Sequence, residues 1–414
     1  MRKSLLIAPL LLFGTVVAIG AGLGTTAAQA QTRAYVADQN SNAVSVIDTS
    51  TNNVVASVPV GVNPIDVAIT PDGTRAYVTN ESSNNISVID TSTNTVVTTF
   101  PAGVNPLEIA ITPDGTRAYV TNASSAAVSV IDTSINAVIA TIPVGAAPAS
   151  LAITPDGTRA YVANFYSNTV SVINTSTNTV VVTVPVGAFP YGVAVTPDGT
   201  KVYVANNNPG SISVIDTSTN TVVASFPAGA NLTGVAITPD GTRAYATDQT
   251  SGTVLVIGTS TNNVVVTVPV GAGPSGIAIT PDGTRAYVAN LNSNTVSVID
   301  TSTNTVLATV PVGVNPTGVA ITPPVQTPQL ISTLVDTVAG FNLQQGIANG
   351  FDAKLLAAQS ALTSATANNV TAACNQINAF LNAVSAQSGK HITTSQANQL
   401  NNLVSQITTA LNCH

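Results

Sequence analysis

The amino-acid sequence predicts an all-β, seven-bladed β-propeller with four-stranded blades, followed by a small all-α helical bundle. Three observations support this prediction: a strict repeat of 42 residues, four strand-like segments in each unit, and a first unit whose missing segment is found alone after the last unit. The repeat is marked by prolines with no insertion or deletion between them: Pro71, Pro113, Pro155, Pro197, Pro239, Pro281 and Pro323. A fixed period of this size is typical of a repeat architecture.

Each unit has the composition of four short strands. Segments such as RAYVAN (159–164) and TVVVTVPVG (179–187) are rich in Val, Thr and Tyr and partly alternate between apolar and polar residues. The recurrent Pro-Asp-Gly between the first two strands predicts a tight turn, because Pro presets φ, Asp accepts a local hydrogen bond and Gly adopts a left-handed conformation. The phrase DTSTNT predicts another turn between the third and fourth strands. The unit is therefore predicted to be a propeller blade.

The two ends of the repeat array predict a closed ring. The chain enters the array at TRAYVAD (32–38), without a first strand, and leaves it at PTGVAITP (316–323), which is a first strand alone. If the late strand completes the first blade, backbone hydrogen bonds close the ring and leave no free inner edge. A linear solenoid would instead carry terminal capping units. The predicted propeller spans residues 32–323.

The N-terminus, residues 1–30, has the pattern of a secretory signal peptide. Arg2 and Lys3 precede a long apolar stretch at 5–24, and the small-residue sequence AQA at 28–30 is a typical cleavage site. A retained membrane anchor is the alternative, because the apolar stretch is long. Cleavage would remove two of the 11 basic residues and change the formal net charge from −7 to −9. No later segment is long and apolar enough to span a bilayer, so we expect a secreted or extracytoplasmic protein, at the cell surface or in the periplasm.

Residues 324–328 are predicted to be a Pro-rich linker, and residues 329–414 a helical domain. Beyond the linker the apolar period changes from 2 to 3.6 residues. Four helices are marked by apolar residues at helical spacing: Leu330, Leu334 and Val338; Leu343, Ile347, Phe351 and Leu355; Ile377, Phe380, Leu381 and Val384; and Leu400, Leu403, Val404, Ile407 and Leu411. Thr393 and Gln396 predict a capping box at the start of the fourth helix.

Cys374 and Cys413 are the only cysteines of the chain. An even pair in a secreted protein predicts a disulfide, which would tie the last helix to the third. The alternative is a metal site that adds His391 and His414, but the spacing matches no zinc motif. We therefore expect a disulfide and no metal.

Composition excludes several function classes. The propeller contains no His, Cys or Met, which excludes His-based triads, thiol nucleophiles and His metal ligands from it. P-loop and Gly-rich dinucleotide motifs are absent from the sequence, so we expect no cofactor. The net charge is acidic and the basic residues are spread at one per repeat, so a nucleic acid is not an expected partner.

The phrases YVTN, VSVIDTST and PVGxxP resemble the YVTN family of β-propeller repeats, which occur in bacterial and archaeal surface and secreted proteins. The resemblance covers residues 32–323 and implies the propeller fold. It leaves function open, because related propellers include lactonase-like enzymes, redox-enzyme domains and binding or surface modules. The C-terminal pattern, including LQQGIANGFDAKLLAA and CNQINAFLNAVSAQSGKHIT, resembles the FIMAH domain, a small helical module that ends many secreted bacterial proteins.

The repeats differ from one another on one face only. The turns of the bottom face, PDG and DTSTNT, are nearly constant, whereas the loops of the opposite, top face vary from blade to blade. We expect the top face to be the functional one, and neutral loop drift is the alternative. Asp66 and Glu108 occupy the register position at which the first strand of each blade is predicted to begin, and this position is Gly in four other blades. They are predicted to meet at the channel mouth, as a hard-cation site or a general acid/base pair, or else to be two solvated acids.

Four aromatic residues also break the repeat. Phe165 and Tyr166 lie in the loop between the second and third strands of blade 4, and Phe189 and Tyr191 flank the loop that enters blade 5. Exposed aromatics on neighbouring blades predict a patch for a sugar, peptide or protein partner. The alternative is that they bury against each other locally. Together with the two acids they form the predicted ligand-binding site.

The predicted function is that of a secreted, non-catalytic binding protein whose top face binds a protein, a glycan or a cell-wall polymer. The helical domain would add a second contact or an attachment point. One alternative is a lactonase-like hydrolase that uses the two acids. Another is a self-assembling cell-surface protein, which the low charge allows. We assign no catalytic residue and expect a monomer.

Overall fold

The structure is a computed structural model that describes residues 32–323, 327–341, 343–362, 367–410 and 413. It confirms the predicted fold class: seven four-stranded antiparallel sheets form a seven-bladed propeller, and four helices follow within the described residues. Parts of the sequence prediction lie outside the described residues, namely the signal peptide 1–30, residues 324–326 of the linker, and His414.

The strands follow one another in chain order, with two short 3-10 turns among them, Gln39–Ser41 and Ala123–Ser125. The strands are β1 (Arg33–Asp38), β2 (Ala43–Asp48), β3 (Asn53–Pro59), β4 (Pro64–Ile69), β5 (Arg75–Asn80), β6 (Asn85–Asp90), β7 (Thr95–Pro101), β8 (Pro106–Ile111), β9 (Arg117–Asn122), β10 (Ala127–Asp132), β11 (Ala137–Pro143), β12 (Pro148–Ile153), β13 (Arg159–Asn164), β14 (Thr169–Asn174), β15 (Thr179–Pro185), β16 (Pro190–Val195), β17 (Lys201–Asn206), β18 (Ser211–Asp216), β19 (Thr221–Pro227), β20 (Leu232–Ile237), β21 (Arg243–Asp248), β22 (Thr253–Gly258), β23 (Asn263–Pro269), β24 (Pro274–Ile279), β25 (Arg285–Asn290), β26 (Thr295–Asp300), β27 (Thr305–Pro311) and β28 (Pro316–Ile321).

Each blade is an antiparallel meander, and the first strands of neighbouring blades contact one another around the central channel. Blades 2 to 7 take four consecutive strands each, from β4–β7 to β24–β27, whereas blade 1 has the order β28-β1-β2-β3. In blade 1, Val36 pairs with Val319, and the N–H of Thr322 donates to the carbonyl oxygen of Arg33 at 2.8 Å. The predicted closure of the ring by the last strand is therefore confirmed.

The inner strands begin two residues earlier than the sequence pattern indicated. Strand β4 begins at Pro64, and its pairing with β5 changes register between Pro64 and Asp66. Strand β12 shows the same irregularity between Pro148 and Leu151. A bulge of this kind bends a strand locally, and an alternating sequence pattern does not reveal it. The bend lies at the top end of the inner strands, next to the channel mouth.

The bottom turns are held by side chains that recur in register. Asp114 accepts hydrogen bonds from the hydroxyl of Thr112 at 2.5 Å and from the N–H of Thr116 at 3.0 Å, and Gly115 has φ of 72°. The same two bonds are made by the equivalent acids Asp72, Asp156, Asp198, Asp240 and Asp282. These acids are turn formers, as predicted from their repetition.

A buried tyrosine in the second strand of each blade bonds to the next blade. The hydroxyl of Tyr77 donates to Asn136 Oδ1 at 2.8 Å. Equivalent bonds run around the whole ring: Tyr35 to Asn94, Tyr119 to Asn178, Tyr161 to Asn220, Tyr203 to Asn262, Tyr245 to Asn304 and Tyr287 to Asn52. Many of the repeated arginines support the same turns, as when Arg117 Nη1 donates to the carbonyl of Thr175 at 2.9 Å. Each blade therefore stabilises its neighbour.

The helices are α1 (Thr327–Gly340), α2 (Gln345–Leu362), α3 (Ala367–Gln387) and α4 (Thr394–Ala410). Their apolar faces share one core, in which the ring centroids of Phe351 and Phe380 lie 5.1 Å apart. Helix α1 begins inside the predicted linker, because Thr327 and Pro328 already belong to its first turn. Within the described residues, no helix is long and apolar enough to cross a membrane.

Two further predictions for the helical region are confirmed. Cys374 of α3 and Cys413 beyond α4 form a disulfide with an S–S distance of 2.02 Å. The capping box at α4 is present, because the N–H of Gln396 donates to Thr393 Oγ1 at 3.2 Å and the N–H of Thr393 donates to Gln396 Oε1 at 2.8 Å.

Candidate ligand-binding site

A cavity of about 430 Å³ opens at the top mouth of the central channel. Its wall repeats the same register positions from blade to blade. The rim is formed by the residue that follows the second strand of a blade: Gln39, Glu81, Phe165, Asn207, Gln249 and Leu291. Below the rim lie the second and third residues of the inner strands, which include Asp66, Glu108 and Tyr191. The cavity is therefore lined by residues that are far apart in sequence but equivalent in the repeat.

The third residue of the inner strand divides the cavity into two arcs. It is Asp66, Glu108 and Ser150 in blades 2 to 4, and Gly192, Gly234, Gly276 and Gly318 in the other four blades. A Cβ atom at Gly192 would collide with the carbonyl oxygen of Thr233 on the next inner strand. Glycine is needed there because the neighbouring backbone approaches closely. Side-chain chemistry at this level is therefore confined to blades 2 to 4.

Asp66 and Glu108 lie on adjacent blades and both line the cavity. Asp66 Oδ2 accepts a hydrogen bond from the N–H of Ile109 at 3.1 Å. Burial raises the pKa of Asp66 to about 7. Burial, and then the charge of Asp66, raise the pKa of Glu108 well above its usual range, although the Ser150 hydroxyl hydrogen-bonds to it. The structure brings the two acids together in a partly desolvated cavity, where the charge of one acid disfavours ionisation of the other.

A third acid of the cavity, Glu81, was not identified from the sequence. Its carboxylate accepts hydrogen bonds from Asn63 Nδ2 at 2.6 Å and from Asn105 Nδ2 at 3.1 Å. The two amides belong to the loops that enter blades 2 and 3, so Glu81 bridges these loops at the rim. Glu81 is equivalent to Phe165 in the repeat, and comparing the rim position across the blades would have revealed it.

Tyr191 and Phe165 place aromatic surface on the same cavity wall as the acids. Burial, followed by the charges of Glu108, Asp66 and Glu81, raises the pKa of Tyr191 to about 12. Tyr191 therefore keeps its hydroxyl proton at physiological pH. Because the charges of all three carboxylates raise the pKa of this one hydroxyl, the acids and the aromatic side chains face a common space.

Phe165 is the centre of the aromatic cluster. Its ring centroid lies 5.1 Å from that of Tyr166, 5.2 Å from that of Phe189 and 6.1 Å from that of Tyr191. Of the four predicted aromatics, Phe165 and Tyr191 line the cavity, whereas Tyr166 and Phe189 contact Phe165 without lining it. Tyr166 is 69% exposed. The residues pack against one another locally and still present a wall to the cavity.

Phe189 has a backbone conformation that is unusual for an aromatic residue. Its φ is 54°, and the equivalent residues with positive φ include Asn63, Asn105, Asn315 and Gly273. Asn and Gly adopt the left-handed region readily, whereas a bulky residue there costs on the order of 1–2 kcal/mol. The left-handed conformation recurs at this loop position, including at Ala147, so it belongs to the blade turn, and at Phe189 the ring contacts Phe165.

The charged side chains that line the cavity are acidic rather than basic. Among the described residues that line it, none is Arg, Lys or His, while Asp66, Glu81 and Glu108 are acidic. In the described part of the chain, no group of three or more His, Cys, Asp or Glu side chains is placed to hold a metal ion. Ser150 and Asn207 add a hydroxyl and an amide to the wall. The cavity can thus hold a ligand through flat apolar contact, hydrogen bonds and negative charge.

Two family models match parts of the chain. One, described as a lactonase, 7-bladed beta-propeller, matches residues 91–225, and the other, described as a choice-of-anchor I domain, matches residues 165–321. The first match includes Glu108, Phe165 and Tyr191. No curated protein matches the chain.

Several solved structures share the architecture. Hydrazine synthase from Kuenenia stuttgartiensis is similar at 25% identity and a TM-score of 0.58, over 62% of this chain and 88% of that chain. A functionally unknown protein from Desulfotomaculum acetoxidans DSM 771 is similar at 21% identity and a TM-score of 0.63, over 70% of this chain and 99% of that chain. A 6-phosphogluconolactonase-like protein from Bacteroides fragilis is similar at 16% identity and a TM-score of 0.61, over 70% of this chain and 98% of that chain. By fold, the chain is a seven-bladed β-propeller with lactonase-like proteins among its neighbours.

Proposed function

We propose that this protein is a secreted, non-catalytic binding protein that holds a protruding group of its partner in the cavity at the channel mouth. One observation carries the proposal: two aromatic side chains, Phe165 and Tyr191, stand on the same cavity wall as Asp66 and Glu108. A volume of about 430 Å³ lies within the range of small-ligand sites. The partner is a protein, a glycan or a cell-wall polymer that presents one residue or end group to this space.

The aromatic cluster supplies the apolar part of the binding energy. Phe165 and Tyr191 offer large flat surfaces and lose little rotamer freedom on binding, and the Tyr191 hydroxyl adds orientation. Phe189 and Tyr166 contact Phe165 and so hold its ring in place. A wall that is already packed before the ligand arrives avoids the entropic cost of ordering it.

An extracytoplasmic location is part of this proposal. The disulfide between Cys374 and Cys413 is typical of proteins that mature in an oxidising compartment. The signal-peptide pattern of residues 1–30 supports the same location. In this proposal the FIMAH-like helical domain, residues 329–414, provides a second contact or an attachment point.

The test is binding of the mature protein to arrays of glycans and cell-wall polymers. One variant replaces the four aromatics of the cluster by Ala. It is expected to lose binding, since each truncated anchor costs roughly 1–2 kcal/mol, or about tenfold in affinity. Folding should be retained, because three of the side chains lie at the top loops and Tyr191, on inner strand β16, lines the cavity rather than a blade core.

A second variant, Asp66→Ala with Glu108→Ala, removes the acid pair. Its matched control, Asp114→Ala with Asp156→Ala, removes two acids from the bottom turns. The proposal expects the first pair of substitutions to weaken a charge-dependent ligand and the control pair to bind like wild type. Equal binding by wild type, the aromatic variant and the acid variant would reject the top-face site.

A second candidate function is lactonase-like hydrolysis, favoured by the raised pKa of Glu108 and by the lactonase family match over residues 91–225. A protonated Glu108 would donate a proton to the leaving oxygen, and an ionised Asp66 would activate water. The described cavity wall has no Arg or Lys to hold a phosphate, so an unphosphorylated lactone is the relevant substrate. Hydrolysis of gluconolactone by wild type, lost in Asp66→Asn, would support this candidate. A wild-type rate equal to the spontaneous one would remove it.

A further inference from the structure

We propose that the group accepted by the channel-mouth cavity is an organic ammonium group, carried by a small molecule or at the end of a larger partner. This inference rests on the proposed binding function and names the chemistry of the ligand. It follows from three features of the same wall: its carboxylates, its aromatic side chains, and the absence of basic side chains among the described lining residues.

The carboxylates of the cavity have neutral partners. Glu81 accepts hydrogen bonds from the side-chain amides of Asn63 and Asn105. Asp66 accepts from the backbone N–H of Ile109. These bonds orient the carboxyl groups and bring no positive charge to them. A cationic ligand supplies the missing charge, and an anionic ligand would be repelled.

The aromatic wall selects an organic cation over a metal ion. Phe165 and Tyr191 bring aromatic rings to the cavity lining, and aromatic rings attract ammonium groups within about 6 Å of the ring centroid. Ring faces are not ligands of hard metal ions, which require several oxygens at short distance. Phe165 is held in place by Phe189, whose left-handed backbone is otherwise unfavourable for an aromatic residue. The contact with Phe189 therefore holds the Phe165 ring at the cavity.

A neutral ligand interacts with fewer of the groups that line the cavity. A neutral sugar can stack on Phe165 and hydrogen-bond to the acids, but it offers no counter-charge when the acids are ionised. Ammonium binding also accounts for the pairing of Asp66 with Glu108, because a cation between them favours the ionised form of both. Binding is then linked to proton release from the pair.

This linkage predicts the direction of the pH dependence. The ionisable groups that face the pair are Glu81 from the rim and Tyr191 from β16, and Tyr191 stays protonated because its pKa is raised to about 12. As pH rises through the range in which Asp66 and Glu108 lose their protons, the affinity for a permanent cation should rise. A quaternary ammonium keeps its charge throughout, so the change reports on the protein alone.

The experiment compares choline with its neutral isostere 3,3-dimethyl-1-butanol, by calorimetric or NMR titration of the full mature protein at pH 5 and pH 8. The expected result at pH 8 is an affinity about tenfold higher for choline. The preference for choline over the neutral isostere should be smaller at pH 5. A second pair, D-glucosamine and D-glucose, distinguishes a primary amine from a quaternary ammonium, and selectivity for the cation in either pair supports the proposal.

The charge of the site is tested with variants of unchanged shape. Asp66→Asn with Glu108→Gln should reduce the preference for choline to about twofold or less, because the hydrogen-bonding geometry stays and the charge is gone. The control, Asp114→Asn with Asp156→Asn, makes the same change of net charge on the opposite face and should keep the preference.

The outcomes separate this inference from the function on which it rests. Equal affinity for cation and isostere in both pairs overturns the ammonium proposal, and so does a preference that survives Asp66→Asn with Glu108→Gln. If a glycan or wall polymer binds through the aromatic cluster while ammonium compounds do not compete, the binding function stands and the ammonium ligand is wrong. If neither the arrays nor the ammonium compounds bind wild type, both proposals fail.

Discussion

The two faces of the propeller are built on the same strands but with different kinds of loop. On the bottom face the sequence TPDGT recurs in six blades, and each Asp bonds to the Thr residues around it, as Asp114 does with Thr112 and Thr116. On the top face the rim position differs from blade to blade, and residues such as Glu81 and Phe165 turn to a shared cavity. The bottom side chains complete their own turn, and the top side chains converge between blades.

The role of a side chain in this repeat protein follows from whether it recurs in every blade. A side chain that recurs in every blade has a role that every blade needs, such as holding a turn or bonding to the next blade. A side chain that departs from the repeat is free of that role and can serve a site that exists once per molecule. Structural roles therefore recur on the constant face, and the proposed ligand site lies on the variable one.

The largest expected effect concerns the closed ring, on which the comparison of faces depends. A chain that ends after residue 314 lacks strand β28 and should lose cooperative unfolding of the propeller, because blade 1 is left with an open inner edge. A chain that ends after residue 323 keeps β28, lacks the helices and serves as the control. Urea unfolding followed by circular dichroism makes the measurement. A sharp, wild-type-like transition in the shorter chain would contradict the closure.

The next largest effect concerns a departure from the repeat that does not serve the cavity. Asp38 and Asp248 occupy a buried position that is Asn in the other five blades. Asp38 accepts a hydrogen bond from the Ser45 hydroxyl at 2.6 Å, and burial raises its pKa to about 6. Burial alone would also raise the pKa of Asp248, but the N–H groups of Ala230 and Asn231 hold it below its usual range.

Asp38→Asn should therefore stabilise the protein at neutral pH by about 3 kcal/mol, since the pKa of Asp38 rises from 3.8 to about 6 and each pKa unit corresponds to about 1.36 kcal/mol. The folded pKa lies above the unfolded one, so the contribution of Asp38 is most favourable below pH 4 and is lost as pH rises to about 6. The variant should lose this pH dependence of the free energy of unfolding, measured by urea unfolding at a series of pH values.

Asp248→Asn should instead destabilise the protein by about 1 kcal/mol, because it weakens the charge-assisted hydrogen bonds that Asp248 accepts. Equal effects from the two substitutions would contradict the assignment.

The smallest expected effect tests the constant face directly. Asp114→Ala removes the acceptor for Thr112 and Thr116 in one bottom turn and should cost about 1 kcal/mol of unfolding free energy. The equivalent changes at Asp156 and Asp240 should cost the same within error, since their turns make the same bonds. Thermal denaturation of the three variants checks this. A markedly larger effect at one position would mean that the bottom face is not uniform.

Most of the fold could be predicted from the sequence because its signals are local and repeated. The period, the four strands, the lone closing strand, the capping box at Thr393 and the cysteine pair each involve residue types with a direct structural meaning. The early start of the inner strands was missed, because a bulge near Pro64 does not alter the alternating pattern.

The candidate site was only partly predictable. Asp66 and Glu108 were found because their register position is mostly Gly, and the structure places both in the cavity wall. Glu81 was not predicted, because a charged residue in a variable polar loop has no single structural meaning in the sequence. The separate roles of Phe165 and Phe189 depend on loop conformation, including the left-handed backbone of Phe189, and that conformation is set by contacts between blades.

The most direct test of the account returns the variable face to the repeat. Asp66→Gly, Glu108→Gly, Phe165→Asn and Tyr191→Thr give each position a residue found in the same register of another blade. The melting temperature and the binding to the glycan, wall-polymer and choline probes are measured on one preparation. The account predicts a melting temperature within about 5 °C of wild type, because the blade cores and the ring of Tyr–Asn bonds between blades are untouched, together with loss of binding. Binding at the wild-type level by this variant would contradict the claim that the departures from the repeat form the ligand site.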